Sequence, residues 1–199
     1  MLYIIRHGRT DWNDWHKLQG RTDIPLNEEG RCMAKKAGEE YRNVHFDVCF
    51  CSPLIRAKET AELILEGRDV PVYYDERLIE MAFGVCEGAI FHLKGQSGEK
   101  CTTEKEENRS DWVKQVRVFF ESPEKYIVPV EGGESITDLF KRTGDFLEKE
   151  IYPRLRKNED ILIVGHGAMN SAIVCQVRNT PLEQFWSAGI ENCKLMKLI

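Results

Sequence analysis

The chain has 199 residues, 28 Lys and Arg against 33 Asp and Glu, and a formal net charge of −5. At roughly 150 residues per domain this is one domain with room for an insertion, and a hydrophobic fraction of 42% supplies a substantial core and excludes whole-chain disorder. The acidic balance argues against general nucleic-acid binding, which needs a basic face. The longest apolar runs span about five residues, far short of the ~18 that a membrane span needs. Met1 to Arg6 has neither a basic n-region nor a long apolar run, so it does not read as a signal peptide and a cytoplasmic location is expected. Seven cysteines, odd in number and scattered, are expected to be free thiols. Cys49 and Cys51, two apart in a strand with no partner motif, do not make a zinc pair.

Short apolar runs alternating with helical patterns predict an α/β fold, a three-layer α/β/α sandwich with a mostly parallel sheet. Leu2 to Ile5 reads as a buried strand. Asn27 caps a helix through about Tyr41, with Met33, Ala34, Ala37 and Tyr41 at helical spacing. Asp47 to Cys51 is a second strand, and Ser52-Pro53 opens a helix through about Leu65. Val72 to Tyr74 is a short third strand. Residues 92–111 are polar and read as an exposed excursion, part of a cap spanning about 85–130. Trp112, Val113, Val116, Phe119 and Phe120 then form an amphipathic stripe that reads as core. Gly132-Gly133 turns the chain into a helix capped by Ser135, with Leu139, Phe140, Phe146, Leu147 and Ile151 facing inward. Ile161 to Val164 is apolar on both faces and therefore central. A helix follows through Val177, and Cys193 to Ile199 makes a last strand.

Ligands of an open α/β sheet bind beyond the carboxyl ends of its strands. Arg6-His7-Gly8 and Gly165-His166-Gly167 each follow a strand there, and glycine permits close approach of backbone or ligand. Arg56 lies in the helix opened by Ser52, where a helix N-terminus and a guanidinium both favour an anion. Two arginines and two histidines in an acidic protein mark a pocket that fits phosphate better than carboxylate. Glu80 beside such a pocket suits a general acid. His16 reads as a surface or packing residue near the pocket rim, and neither His45 nor His92 is assigned to catalysis. There is no GxxxxGK[ST] segment, so a P-loop nucleotide site is excluded.

Arg6-His7-Gly8 with Trp12-Asn13, Ser52-x-x-x-Arg56-Ala57-x-x-Thr60, Glu80-x-x-x-Gly84-x-x-Glu87-Gly88, Gly132-Gly133-Glu134-Ser135 and Gly165-His166-Gly167 occur in order along the chain. In that order they resemble the histidine phosphatase superfamily, the group that includes cofactor-dependent phosphoglycerate mutase. The resemblance covers residues 3 to 195. It implies that His7 is the nucleophile that becomes phosphohistidine. Arg6, Arg56 and His166 then hold the phosphoryl oxygens, and Asn13 adds a neutral donor. Glu80 protonates the leaving alcohol and then deprotonates the attacking water. Arg21 and Gly167 are candidates for substrate contact. The implied enzyme is a phosphoric monoester hydrolase of the histidine acid phosphatase type, needing no metal or cofactor and acting on a small phosphorylated metabolite, with no nucleic-acid or membrane partner, as a monomer or homodimer. The short chain and modest segment after Glu80 favour a phosphatase. A phosphoglycerate mutase and a non-catalytic phospho-ligand binder are the alternatives. Relatives often carry an arginine a few residues after Gly167, where this chain has Asn170.

Overall fold

Alternate side chains of each central strand feed two separate cores, and that alternation sets the layers. In a computed structural model, residues 1–90, 110–126 and 129–199 are described. His92, Cys101 and most of the predicted excursion at 92–111 lie outside the described residues. The strands are β1 (Leu2–Arg6), β2 (Val48–Cys51), β3 (Val72–Tyr74), β4 (Ile161–Gly165) and β5 (Met196–Lys197). They form one sheet in the order β3-β2-β4-β1-β5, parallel except for β5. Helices are α1 (Asp11–Asp14), α2 (Glu28–Glu40), α3 (Ile55–Ile64), α4 (Ser110–Glu121), α5 (Ile136–Phe146), α6 (Tyr152–Leu155) and α7 (Gly167–Arg178).

Ile5, Cys49, Cys51, Leu162 and Val164 pack against Ala34 and Ala37 of α2 and Ala57 and Ala61 of α3. Leu2, Ile4, Phe50, Ile161 and Ile163 face the other way, toward Leu139 and Phe146 of α5 and Ala172 and Ile173 of α7. The α/β/α sandwich with a mostly parallel sheet is therefore present. Val116 and Phe119 of α4 join the second core fully buried, while Trp112, Val113 and Phe120 pack partly buried at its edge.

The Asn27 side chain accepts from the Gly30 N–H and Ser135 from the Asp138 N–H, as the sequence predicts. Two expectations shift. The helix after β2 starts at Ile55, so Ser52 is not its cap and Arg56 is its second residue rather than one turn inside it. The last strand is only Met196–Lys197, and Cys193, where the sequence predicts its start, has a positive φ of 56° that an extended chain excludes. Beyond α5 the chain continues as a single π-helical stretch, Leu147–Ile151, before α6. Among the described residues, no helix is long and apolar enough to cross a membrane.

Candidate active site

Strand register assembles the carboxyl end of the sheet. Arg6 pairs with Gly165 across the parallel β1–β4 ladder, and the His7 N–H donates to the Gly165 carbonyl at 2.9 Å. The next residue on each strand is a histidine, so the rings of His7 and His166 meet with centroids 5.2 Å apart. Cys51 pairs with Val164 on the other side of β4, which sets Ser52 beside His166; Ser52 Oγ lies 2.6 Å from His166 Nε2. This Ser52–His166 bond was not foreseen, since Ser-Pro carries an ordinary helix-start signal that hides it. His7 Nδ1 lies 2.6 Å from the Gly8 carbonyl, so Nδ1 donates and Nε2 is left as the basic nitrogen. Asn192 steadies the same segment by donating from Nδ2 to the His7 carbonyl at 2.6 Å.

Arg56 is fully buried, an unusual position for a cation. Its Nη1 and Nη2 donate to the carbonyls of Thr22 and Gly20 at 2.9 and 2.7 Å. The Gly20 turn has a φ of 54°, and a Cβ there would stand 2.1 Å from Glu87 Oε1. Only glycine fits. Glu87 in turn accepts from the N–H groups of Arg21, Thr22 and Phe83, so it builds the loop that receives Arg56. The Nε atoms of Arg6 and Arg56 and Nδ1 of His166 are buried without a hydrogen-bond partner. Leaving a buried donor unmatched costs about 1–3 kcal/mol. Oxyanions of a bound phosphate are the acceptors such donors fit.

Glu80 is 8% exposed, and both carboxyl oxygens accept backbone N–H groups. Oε1 takes those of Met81 and Met169 at 2.8 and 3.0 Å, and Oε2 that of Ala168 at 3.2 Å. The carboxyl group thus sits on the first turn of α7, where the helix dipole favours it. A Cβ on Gly167 would lie 3.7 Å from both Glu80 Oε2 and the Arg6 guanidinium carbon, so the bare glycine leaves the gap between them open. Arg21 does not reach into this gap. Its Nε donates to the Glu80 carbonyl at 3.3 Å and its Nη2 pairs with Glu134. Glu134 is also held by Arg142 at 2.6 Å, and Arg142 donates to the Arg77 carbonyl.

The cavity beside His7 measures about 440 Å³. Arg6, His7, Asn13, Arg56, Glu80 and Gly167 line it, six of the residues the sequence singles out. Two others differ. His166 lies beneath His7 rather than among the lining residues, and Arg21 is turned to Glu134. Asn13 uses its Oδ1 to close the capping box of α1 with Thr10, which fixes the amide at the cavity edge. His16 is exposed and joins the lining; His45 pairs with Asp47 at the surface. The sequence reading missed Phe83, Phe120 and Trp186, also in the wall. Asn170 is buried and donates from Nδ2 to the Ile5 carbonyl at 3.1 Å, tying α7 to β1 away from the cavity. Six cysteines are free and Cys101 lies outside the described residues. Among the described residues, no three His, Cys, Asp or Glu side chains are grouped to hold a metal.

Burial holds both histidines well below the usual 6.5, and the charges of Arg56 and Arg6 push in the same direction. Both rings are therefore neutral at pH 7. Burial also lowers the Arg56 guanidinium to about 10, partly offset by Glu80, so it remains a cation. The neutral His7 ring therefore keeps a lone pair on Nε2 in a cavity that Arg6 and Arg56 also line.

The sequence profile of the histidine phosphatase superfamily (branch 1) matches residues 2–199, and the chain belongs to that family. Phosphoserine phosphatase 1 of Hydrogenobacter thermophilus is 31% identical over 191 residues, covering 96% of this chain and 82% of that protein. A 2,3-bisphosphoglycerate-dependent phosphoglycerate mutase 2 from Gloeobacter violaceus is 33% identical over 196 residues, covering 97% and 82%. Among solved structures, Bacillus stearothermophilus YhfR superposes with a TM-score of 0.77 at 31% identity, covering 94% of this chain and 83% of that one.

Proposed function

We propose that the protein is a metal-independent phosphomonoesterase that passes the phosphoryl group of a small phosphorylated metabolite through His7 to water. The observation that carries this reading is the His7 ring itself. Its Nδ1–H is committed to the Gly8 carbonyl, so Nε2 holds a lone pair at a cavity flanked by Arg6 and Arg56. Family membership and the likeness to a phosphoserine phosphatase support it.

His7 Nε2 attacks phosphorus, and the bond to the leaving oxygen breaks. Glu80 is the general acid that passes a proton to that oxygen, so a neutral alcohol departs. Water then attacks the phosphohistidine, Glu80 takes its proton, and the P–N bond breaks to release inorganic phosphate. Arg6 and Arg56 neutralise charge on the equatorial oxygens throughout, which is most of what phosphoryl transfer asks of a protein. The amide of Asn13 supplies a further contact at the cavity edge, while His166, fully buried and bonded to Ser52, packs against the His7 ring.

The test is phosphate release from p-nitrophenyl phosphate and from alkyl phosphates, with and without EDTA, combined with rapid quenching for an acid-labile, base-stable phosphoryl label. Chelator-insensitive turnover with the label on His7 is expected. A label on another residue, or activity lost in EDTA and restored by a divalent metal, overturns the reading. The 33% identity to a mutase favours one second reading, transfer to another alcohol. Incubation with 3-phosphoglycerate separates the two: isomer interconversion marks a mutase, inorganic phosphate a phosphatase.

A further inference from the structure

A large part of the cavity wall takes no part in phosphate chemistry. Phe83, Phe120 and Trp186 form a continuous run of rings. Phe83 and Phe120 have centroids 5.9 Å apart at 29°, and Phe120 and Trp186 lie 5.3 Å apart at 12°. The Trp186 indole N–H is spent on the Phe119 carbonyl at 3.1 Å, so its hydrogen-bonding group is turned away from any ligand. Trp12 adds a fourth ring to the lining. Phe119, beneath, is fully buried and contacts both Phe120 and Trp186, which fixes the platform from below.

The charged groups make the contrast. Among the described lining residues the one acid is Glu80, whose oxygens are taken by three backbone N–H groups. The one cation beyond the arginines and histidines is Lys17, whose ammonium stands over the Trp12 and Trp15 rings at 5.6 and 5.1 Å. Among the described lining residues, a leaving group bearing an amino acid headgroup would find no acid free for its ammonium. It would also have to draw Lys17 off two aromatic faces to meet its carboxylate. A flat apolar group finds a preformed stack.

We propose that Phe83, Phe120 and Trp186 are the leaving-group subsite, and that the substrate's alcohol carries a flat aromatic or similarly apolar group. This rests on the phosphatase reading for which end of the cavity the phosphate takes. With the phosphoryl group at His7, the rest of the ester extends along the rings.

Binding separates the subsite from the chemistry. Three non-hydrolysable probes are titrated calorimetrically into the whole protein: methylphosphonate, 3-phosphonopropanoate and 1-naphthylmethylphosphonate. The naphthyl probe is expected to bind at least about tenfold tighter than either of the others. Phe120→Leu and Trp186→Ala should each erode that advantage, with methylphosphonate as the internal reference for a folded phosphate end. Equal or tighter binding of 3-phosphonopropanoate overturns the proposal, as does an advantage unchanged in both variants, or no binding of any probe. Failure of the phosphatase reading looks different: the naphthyl probe binds tightly, yet 1-naphthylmethyl phosphate releases no phosphate.

Discussion

The two ends of the cavity are built by different physics. At the cationic end, strand register and backbone hydrogen bonds fix the key side chains: His7 through Gly8 and Gly165, Arg56 through Gly20 and Thr22, Glu80 through the first turn of α7. At the aromatic end, Phe83, Phe120 and Trp186 are held largely by ring packing. Hydrogen bonds are directional and place atoms within tenths of an ångström, whereas packing tolerates volume-conserving exchange. Precise placement is thus concentrated at the proposed phosphoryl site, and the proposed leaving-group wall is a surface that can be repacked. Changes at the first end should therefore act on kcat, and changes at the second on the ranking of substrates.

The largest effect is expected from His7→Ala. With the accepting nitrogen gone, kcat should drop by at least about 10⁴-fold while the fold persists. Steady-state phosphate release with circular dichroism as a folding control checks it, and substantial residual turnover would remove His7 from the role. Glu80→Gln should lower kcat for alkyl phosphates by about 10²–10⁴-fold, the usual reach of general acid catalysis. It should harm p-nitrophenyl phosphate less in the burst phase, because nitrophenolate leaves without a proton. Equal losses for both esters would sink the proton-donor role. Glu87 would not then be the substitute, since its oxygens are already bound to the loop that receives Arg56.

Glu134→Ala tests how far the precision of the cationic end depends on its supports. The variant strands Arg142, whose guanidinium side chain is 16% exposed, and removes the Glu134 partner of Arg21 Nη2, leaving Arg21 held to the Glu80 carbonyl by Nε alone. Breaking a buried pair costs about 3–5 kcal/mol, so a lower Tm is expected. A kcat reduced by about tenfold with KM little changed would mark Glu134 as a positioning residue. A Tm shift with unaltered kcat would confine it to the fold.

The smallest effect concerns pH. Both site histidines have folded values well below 6.5, so between those values and 6.5 the unfolded chain binds protons that the folded chain refuses. Their contribution to stability is fully present above pH 6.5 and is lost as pH falls below it. The slope is at most about 1.4 kcal/mol per pH unit for each ring. Urea unfolding at pH 7 and 5.5 should show this decline, and His166→Asn should flatten it. Identical slopes in the two proteins would contradict a neutral, buried His166.

The sequence revealed the cationic end far better than the aromatic one. Arg6-His7-Gly8 and Gly165-His166-Gly167 advertise themselves because both follow apolar strands, and strand ends are where ligands sit. Ser52 was legible as a helix start and wrong in that role, because its neighbour across β4 is set by register, which no local window contains. Arg21 was a sound candidate by type, but its partner Glu134 is 113 positions away. Phe119 and Phe120 looked alike on one amphipathic stripe; a turn of 100° per residue buries the first and brings the second to the cavity. The expected start of β5 fails at a single left-handed residue, Cys193, that propensity does not anticipate.

The pairing of β1 with β4 also bears on how the protein comes to be active. Asn170 reaches Ile5 across 165 positions and His166 reaches Ser52 across 114, so the cationic end is made of contacts between the first and last parts of the chain. Closing loops of that length is a slow step in folding, and nothing local can stand in for it. During refolding, competence for catalysis should therefore appear only once β4 has inserted between β1 and β2, well after α2 and α3 have regained their helicity. An anion that recognises the assembled arginines binds only the finished sheet, so phosphate should slow unfolding and act as a ligand-stabilised lock on its central strand.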